Sequence, residues 1–402
     1  ASWGTELNMG NPQTCIDFVK YVYDNYPAKK YAMDFWNHGG SWKHGMCSDD
    51  TNSDDFTMLE VRTIFETLRA QTGRRILWDV CGYDECLMSD VSVDYDEKPY
   101  INYILNSEDS IGGDGWEYNY VLGHLNDSPT MDAETFAYWI YYSYGERYGT
   151  TGTLTTMSVI NCTEFDYVLM PAINSLGQKL RHKALSLNSN IKTAATNSAS
   201  WQGYTHQRDL VHFCQNLQTQ IPSATDPEIY NAAQKVIDIA QANTFGDAPW
   251  NATWNHSKPI LCHNQNTGEN GVTIYCTEAS YDTTYDTLRM APETSWDDAV
   301  KAIIANTVNY PNEEPVCGIT APSEGSYVVL NAIAAVTGSA NDNADAGTVQ
   351  KVEVKIDREA WQTATGTTSW AFNWNTVGWA PGPHKIFARA YDGTDYSETW
   401  VC

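Results

Sequence analysis

Positive charge is scarce in this chain. Lys and Arg together number 24 against 50 Asp and Glu, a formal charge of −26 at pH 7 over 402 residues. Nucleic acids and anionic membranes are bound through basic patches, so the balance argues against both as partners. No apolar run approaches the roughly 18–20 residues of a membrane span. No Cys-x-x-Cys pair occurs, and histidines such as His44, His263 and His384 fall at no metal-ligand spacing. A zinc site is therefore not expected. No charged-then-apolar leader precedes Ala1, so the chain reads as a processed or trimmed product. Internal repeats and low-complexity tracts are also missing.

What is present suits an oxidising, extracellular setting. The ten cysteines fit several disulfides. Cys317 and Cys402 bracket the last segment, and Cys262 and Cys276 bracket a short polar loop. Cys15–Cys47 and Cys162–Cys214 are further candidate pairs, although spacing does not fix connectivity. This set leaves Cys81 and Cys86 as thiols. Sequons at Asn126, Asn161, Asn251 and Asn255 agree with a secreted or cell-surface protein. The acidic excess favours Ca²⁺ or cationic substrates. The oxygen-rich run Asp49 to Asp55 is the candidate for Ca²⁺, a hard cation, but it lacks the EF-hand spacing. No cofactor is required by any motif.

Periodicity divides the chain. Residues 11–26 predict an amphipathic helix with Asn11 as cap and Pro12 at its first position. A second helix is predicted over 56–71, ending at Gly73. Apolar strands at 31–36 and 76–81 alternate with these helices, which implies a parallel sheet with right-handed crossovers. Residues 131–310 read as mostly helical. The polar, Pro-containing stretch 309–315 reads as a linker. Beyond it Val352, Val354 and Ile356 alternate with charged residues, and Ile386, Ala388 and Ala390 do likewise. An antiparallel β-sandwich over 316–402 follows. The expected domains are thus 1–310 and 316–402, the second closed by Cys317–Cys402.

Two motifs carry chemistry. Trp36-Asn37-His38-Gly39-Gly40 follows the first strand, and Gly82-Tyr83-Asp84-Glu85-Cys86 follows the second. Ligands bind beyond the carboxyl ends of strands in open α/β sheets. A thiol and an imidazole brought there from neighbouring strands suit a nucleophile and its acid–base partner. Forty-eight residues separate His38 from Cys86, the length of one helix–strand crossover. Gly39 lets backbone approach the substrate, and its N–H with that of Cys86 would form an oxyanion hole.

Further segments accompany these motifs in order: Glu6-Leu7-Asn8-Met9-Gly10, Ser107-Glu108, Gly113-Asp114-Gly115-Trp116, Gly271 to Tyr275 and Ser295-Trp296-Asp297. With Asn37-His38-Gly39-Gly40 and Asp84-Glu85-Cys86-Leu87-Met88, this set resembles the clostripain-like cysteine peptidases over residues 6–308. The resemblance implies a caspase-like α/β/α sandwich around a parallel sheet, followed here by a small antiparallel Ig-like sandwich of bacterial or archaeal type. It implies a Cys86–His38 dyad cleaving peptide bonds after Arg or Lys. Asp84 and Asp114 would line the basic-residue pocket, with Trp116 as an apolar wall for the aliphatic stem.

Two departures stand out. The family usually has Ala where Glu85 stands, and a carboxylate beside the nucleophile would raise the thiol pKa. The family also carries N-terminal strands ahead of the Glu-Leu-Asn-Met-Gly segment. The sheet edge so left is expected to be covered by the chain's own cleaved N-terminal segment or by a neighbouring subunit. The alternative function is a peptidase-derived structural, adhesion or filament-forming protein. A carbohydrate-binding module, resting on the sandwich alone, is the weaker third reading.

Overall fold

The first helix begins where its orphan N–H groups find a partner. Asn11 accepts from the Gln13 N–H, and Pro12 opens α1 (Pro12–Asn25), which buries Cys15, Ile16 and Val19. Helix α2 (Met58–Thr72) starts with a reciprocal cap between Thr57 and Glu60 and stops at left-handed Gly73. Its buried face is Val61, Ile64, Phe65 and Leu68. Each such side chain contributes about 1.5–3 kcal/mol on leaving water. The computed structural model describes residues 6–148, 156–241, 259–263, 269–306, 314–342, 348–397 and 399–401. Two compact units form, Ala1–Ala172 with Leu187–Pro292, and Ile173–Ser186 with Glu293–Cys402. The expected linker at 309–315 lies mostly outside the described residues, as do the sequons at Asn251 and Asn255.

The first unit is built on a five-stranded sheet. Its strands are β1 (Ala32–Trp36), β2 (Trp78–Asp84), β3 (Ile101–Asn106), β4 (Met157–Asn161) and β5 (Ile260–His263), side by side in that order. β1 runs parallel to β2 with Trp36 opposite Asp84, and β2 runs parallel to β3. β4 and β5 are antiparallel to their neighbours. The expected parallel sheet is therefore parallel only in its first three strands. β2 leads to β3 through the short helix α3 (Val91–Glu97). Between β3 and β4 the chain makes two helices, α4 (Tyr118–Asp127) and α5 (Ala133–Tyr148). A single helix returns a chain to the start of a parallel strand, and a second one reverses it again. Val121, Ala137, Ile140, Tyr141 and Tyr144 from these helices pack on Val80, Leu105 and Val159 of the sheet.

The acidic run at 49–55 forms the turn of a hairpin pairing Met46–Asp49 with Asp54–Phe56. Asp49 accepts the N–H groups of Met9 and Asn52, and Asp54 accepts the side-chain amide of Asn8. Among the described residues no three His, Cys, Asp or Glu side chains gather as for a metal ion.

In the second unit the period-two reading corresponds to two four-stranded antiparallel sheets. Val316–Ala321, Ile333–Asn341, Ser369–Asn375 and Thr365–Gly366 form one. Gln362–Thr363, Lys351–Ile356, Ile386–Tyr391 and Trp400–Val401 form the other. Val336, Val352, Val354, Trp370, Trp374 and Ala388 fill the space between them. Within this unit His182 meets Asp395 at 2.6 Å and Lys179 meets Glu314 at 2.6 Å. Cys15, Cys47, Cys214 and Cys276 carry no disulfide, so the expected pairs Cys15–Cys47, Cys162–Cys214 and Cys262–Cys276 are not formed. The Cys47 thiol is turned to Glu85, and Cys214 lies near Asp209 and Cys276 rather than Cys162. Cys402 lies outside the described residues, so Cys317–Cys402 stays an expectation.

Carboxyl groups line the interior of the first unit. Burial raises Asp34 to about 7 and both Glu85 and Glu97 to about 8. Each binds a proton in the folded chain that it has lost in the unfolded one at neutral pH. Their contribution to stability is therefore complete below about pH 4 and is lost as pH rises through 7 to 8. Half-buried His206, lowered to about 4 by desolvation, acts oppositely but only below about pH 6.5. The thermal midpoint should fall by several degrees between pH 6.5 and 9, measured by differential scanning calorimetry. A flat or rising midpoint over that range would contradict this assignment.

Candidate active site

The register of β1 and β2 places the ends of both strands side by side. Trp36 and Asp84 are the last residues of their strands and face each other across the ladder. His38 and Cys86 stand two residues beyond. Both line one cleft of about 280 Å³, together with Trp36, Asn37, Asp84, Ile111, Gly112, Gly113 and Gly115. His38 is exposed and Cys86 half-buried. The Cys86 Sγ accepts the backbone N–H of Ile111 at 3.3 Å.

Gly39 sits against the nucleophile turn. A Cβ there would lie 2.5 Å from the Cys86 carbonyl oxygen and 2.9 Å from the Met88 side chain. Only glycine allows this approach. The loop bearing His38 is closed by a bridge from Gly39 to Met46 and by the Gly40 N–H donating to the Gly45 carbonyl at 2.9 Å.

Asp84 forms the floor of the cleft and is 3 % exposed. Its Oδ2 accepts the Trp116 N–H at 2.9 Å and the Tyr118 hydroxyl at 2.6 Å. The Oδ1 is buried without a hydrogen-bond partner. Burial raises the Asp84 pKa, and the two donors partly oppose this. The Tyr118 hydroxyl also lies 2.7 Å from Asp34 Oδ2. Gly115 is left-handed (φ +71°), and a Cβ on it would meet Asp84 Oδ2 at 2.5 Å.

Two expected pocket residues stand elsewhere. The Asp114 side chain is 79 % exposed and pairs with Arg147 at 2.8 Å. Arg147 also binds Glu117, so this cation gathers both acids away from the cleft. Trp116 is buried in the core, its ring lying over Gly82, where a Cβ would come within 2.2 Å. The tryptophan on the cleft is Trp36, 62 % exposed. Asp34, Tyr118 and Ile111 were missed from sequence. Asp34 left one signal, a carboxylate inside the apolar run Ala32-Met33-Asp34-Phe35-Trp36. Tyr118 and Ile111 left none, because only tertiary folding brings them to Asp84 and Cys86.

Glu85 departs from the expected charge effect. It is fully buried and does not line the cleft. Its Oε1 accepts the Cys47 N–H at 3.0 Å and the Cys47 thiol at 3.1 Å. Raised to about 8 by burial, it is mostly neutral at pH 7 and places no full charge beside Cys86.

Comparison with known proteins now bears on this geometry. The sequence model of the clostripain family matches residues 1–306, and that of a bacterial Ig domain matches 315–388. The chain belongs to the clostripain family. Clostripain from Hathewaya histolytica is 26 % identical over 133 residues, which is 30 % of this chain. The match spans only about a quarter of that curated relative, 25 % of its length. A secreted C11 cysteine protease from Bacteroides thetaiotaomicron, solved with an irreversible peptide inhibitor, is 16 % identical with a TM-score of 0.48. That likeness covers 72 % of this chain and 78 % of the other. An inactive zymogen C11 protease from Parabacteroides distasonis is 18 % identical with a TM-score of 0.46, covering 75 % and 78 %.

Asp84, and not Asp114, holds the buried orphan oxygen in this clostripain-family cleft. Hydrogen bonds to charged groups are worth about 1.5–3 kcal/mol. For the cleavage after Arg proposed below, Asp84→Asn should therefore cut kcat/KM about tenfold or more, and Asp114→Asn should change it less than about threefold on the same scale. Steady-state kinetics on Arg-terminated fluorogenic peptides would decide, and the reverse order would reinstate Asp114.

Proposed function

We propose that this chain is a cysteine endopeptidase that cleaves after Arg or Lys. The observation that carries the reading is the meeting of His38, Asp84 and Cys86 in one cleft at the ends of adjacent parallel strands. Cys86 attacks the scissile carbonyl as thiolate, with its proton taken by His38. The carbonyl carbon becomes tetrahedral, and its oxyanion is met by the Gly39 and Cys86 N–H groups. Collapse expels the amine, which takes the proton from His38, and leaves an acyl-enzyme. Water, deprotonated by His38, hydrolyses the thioester and restores the thiol. The P1 ammonium or guanidinium neutralises Asp84, and Trp36 shields the aliphatic stem.

Peptides and proteins with accessible Arg or Lys are the proposed substrates, and an extracellular or cell-surface setting suits them. No described helix is long and apolar enough to cross a membrane. β1 ends the sheet among the described strands, and a groove of about 760 Å³ lined by Leu7, Met9, Phe18, Phe35 and Trp36 runs beside it. A strand from the chain's own cleaved N-terminal segment or from a neighbouring subunit is the proposed cover for that edge.

Incubation with Arg-, Lys- and Leu-terminated fluorogenic peptides under reducing conditions, with and without Ca²⁺, tests the proposal. Hydrolysis after Arg and Lys is expected, with loss in Cys86→Ala and an unchanged far-UV spectrum. Undiminished turnover in Cys86→Ala would sink the nucleophile, and equal cleavage after Leu would sink the basic pocket. Absence of turnover with no alkylation of Cys86 would favour the adhesive or filament-forming alternative.

A further inference from the structure

The residue preceding the nucleophile is tied to the loop that carries the histidine. Glu85 is fully buried, and its Oε1 holds both the backbone N–H and the thiol of Cys47. The same Cys47 N–H is shared with the His38 carbonyl oxygen at 3.1 Å. Cys47 adopts a left-handed backbone with φ +56°, a conformation that a non-glycine residue keeps only when its surroundings impose it. One acceptor at position 85 thus fixes the backbone unit that in turn holds the carbonyl of His38.

We propose that Glu85 is a positioning residue, a strut that sets His38 against Cys86 through Cys47. The inference rests on the peptidase reading above. Two contacts join the reactive turns, and they differ in kind. Gly39 packs by shape against the Cys86 carbonyl and Met88. The Glu85–Cys47 bond supplies the directional one, because a hydrogen bond has angular preference and packing has little. The role asks for an acceptor oxygen and not for a negative charge. The Cys47 thiol is held protonated by burial and by the neighbouring Glu85, and so donates.

Three variants separate the roles: Glu85→Gln keeps the acceptor, Glu85→Met keeps the volume without one, and Glu85→Ala removes both. Misplacing a catalytic group by about 1 Å costs on the order of a hundredfold. Glu85→Met should therefore lower kcat about tenfold to a hundredfold with KM changed less than about threefold, while Glu85→Gln should stay within about threefold of the parent in kcat on the same scale. The pH profile of Cys86 alkylation by iodoacetamide supplies a readout that stability alone does not move. Its midpoint should shift upward in Glu85→Met and remain in Glu85→Gln, because a displaced imidazole no longer supports the thiolate. Glu85→Ala serves as the second acceptor-free variant if Met does not fit, and calorimetry reports the fold of each. Parent-like kcat and alkylation profile in a folded Met or Ala variant would overturn the strut. Equal loss in Gln and Met would overturn it too, since charge and not the acceptor would then matter. Failure of the peptidase reading looks different: the parent itself would show neither turnover nor Cys86-dependent hydrolysis.

Discussion

The backbone ladder between β1 and β2 sets where both reactive side chains stand. Parallel pairing with Trp36 opposite Asp84 lets the two strands end level, so the residues that follow emerge at one edge. A slip of one residue would turn every side chain of a strand to the other face. Asp84 would then leave the cleft, and Gly82 would no longer offer the flat surface on which Trp116 lies. The helices α1 and α2 bury their apolar faces, and Gly39 fits closely on the turn that carries Cys86.

A chain with a formal charge of −26 would be expected to keep its acids in water. This one places Asp34, Asp84, Glu85, Asp90, Asp94 and Glu97 in or near the β1–β3 layer, all mostly withdrawn from solvent. Burial shifts each of these carboxyl groups toward its neutral form, which costs less to bury. The Tyr83 hydroxyl on Glu97, the Gln207 amide on Asp90 and the Asn106 amide on Asp94 show the same solution repeated with neutral donors. These donors satisfy one oxygen of each acid and leave the second oxygen of Asp94 and Glu97 without a partner among the described residues, while Lys98–Asp166 and Arg62–Asp96 add ion pairs beside them.

Much of this was legible in the sequence where the signal is local. Asn11-Pro12, and the apolar face over 56–71 with Gly73, mark two helices within a residue or two of their observed ends. Period-two runs located the sandwich strands at Lys351–Ile356 and Ile386–Tyr391. The motifs after the first two strands led to His38, Cys86 and Asp84 together on one cleft. What escaped depends on distant partners. The direction of β4 follows from how many helices precede it, which periodicity does not encode. Asp114 was read as a pocket acid because the resemblance implies an acid there, but in the fold its side chain pairs with Arg147 from α5. The disulfide pairings were inferred from compartment and count, which say nothing of which thiol faces which. Glu85 was read as a charge because sequence shows a residue's chemistry but not its solvation.

The hydroxyl of Tyr118 reaches both Asp34 and Asp84, and the free oxygen of Asp84 has nothing to hold. Burial raises both acids above the usual carboxylate range, Asp34 to about 7, while the phenol they share is 40 % exposed. A buried acceptor oxygen left unmet is costly, so the end of β2 carries an open demand for a donor that the described residues do not fill.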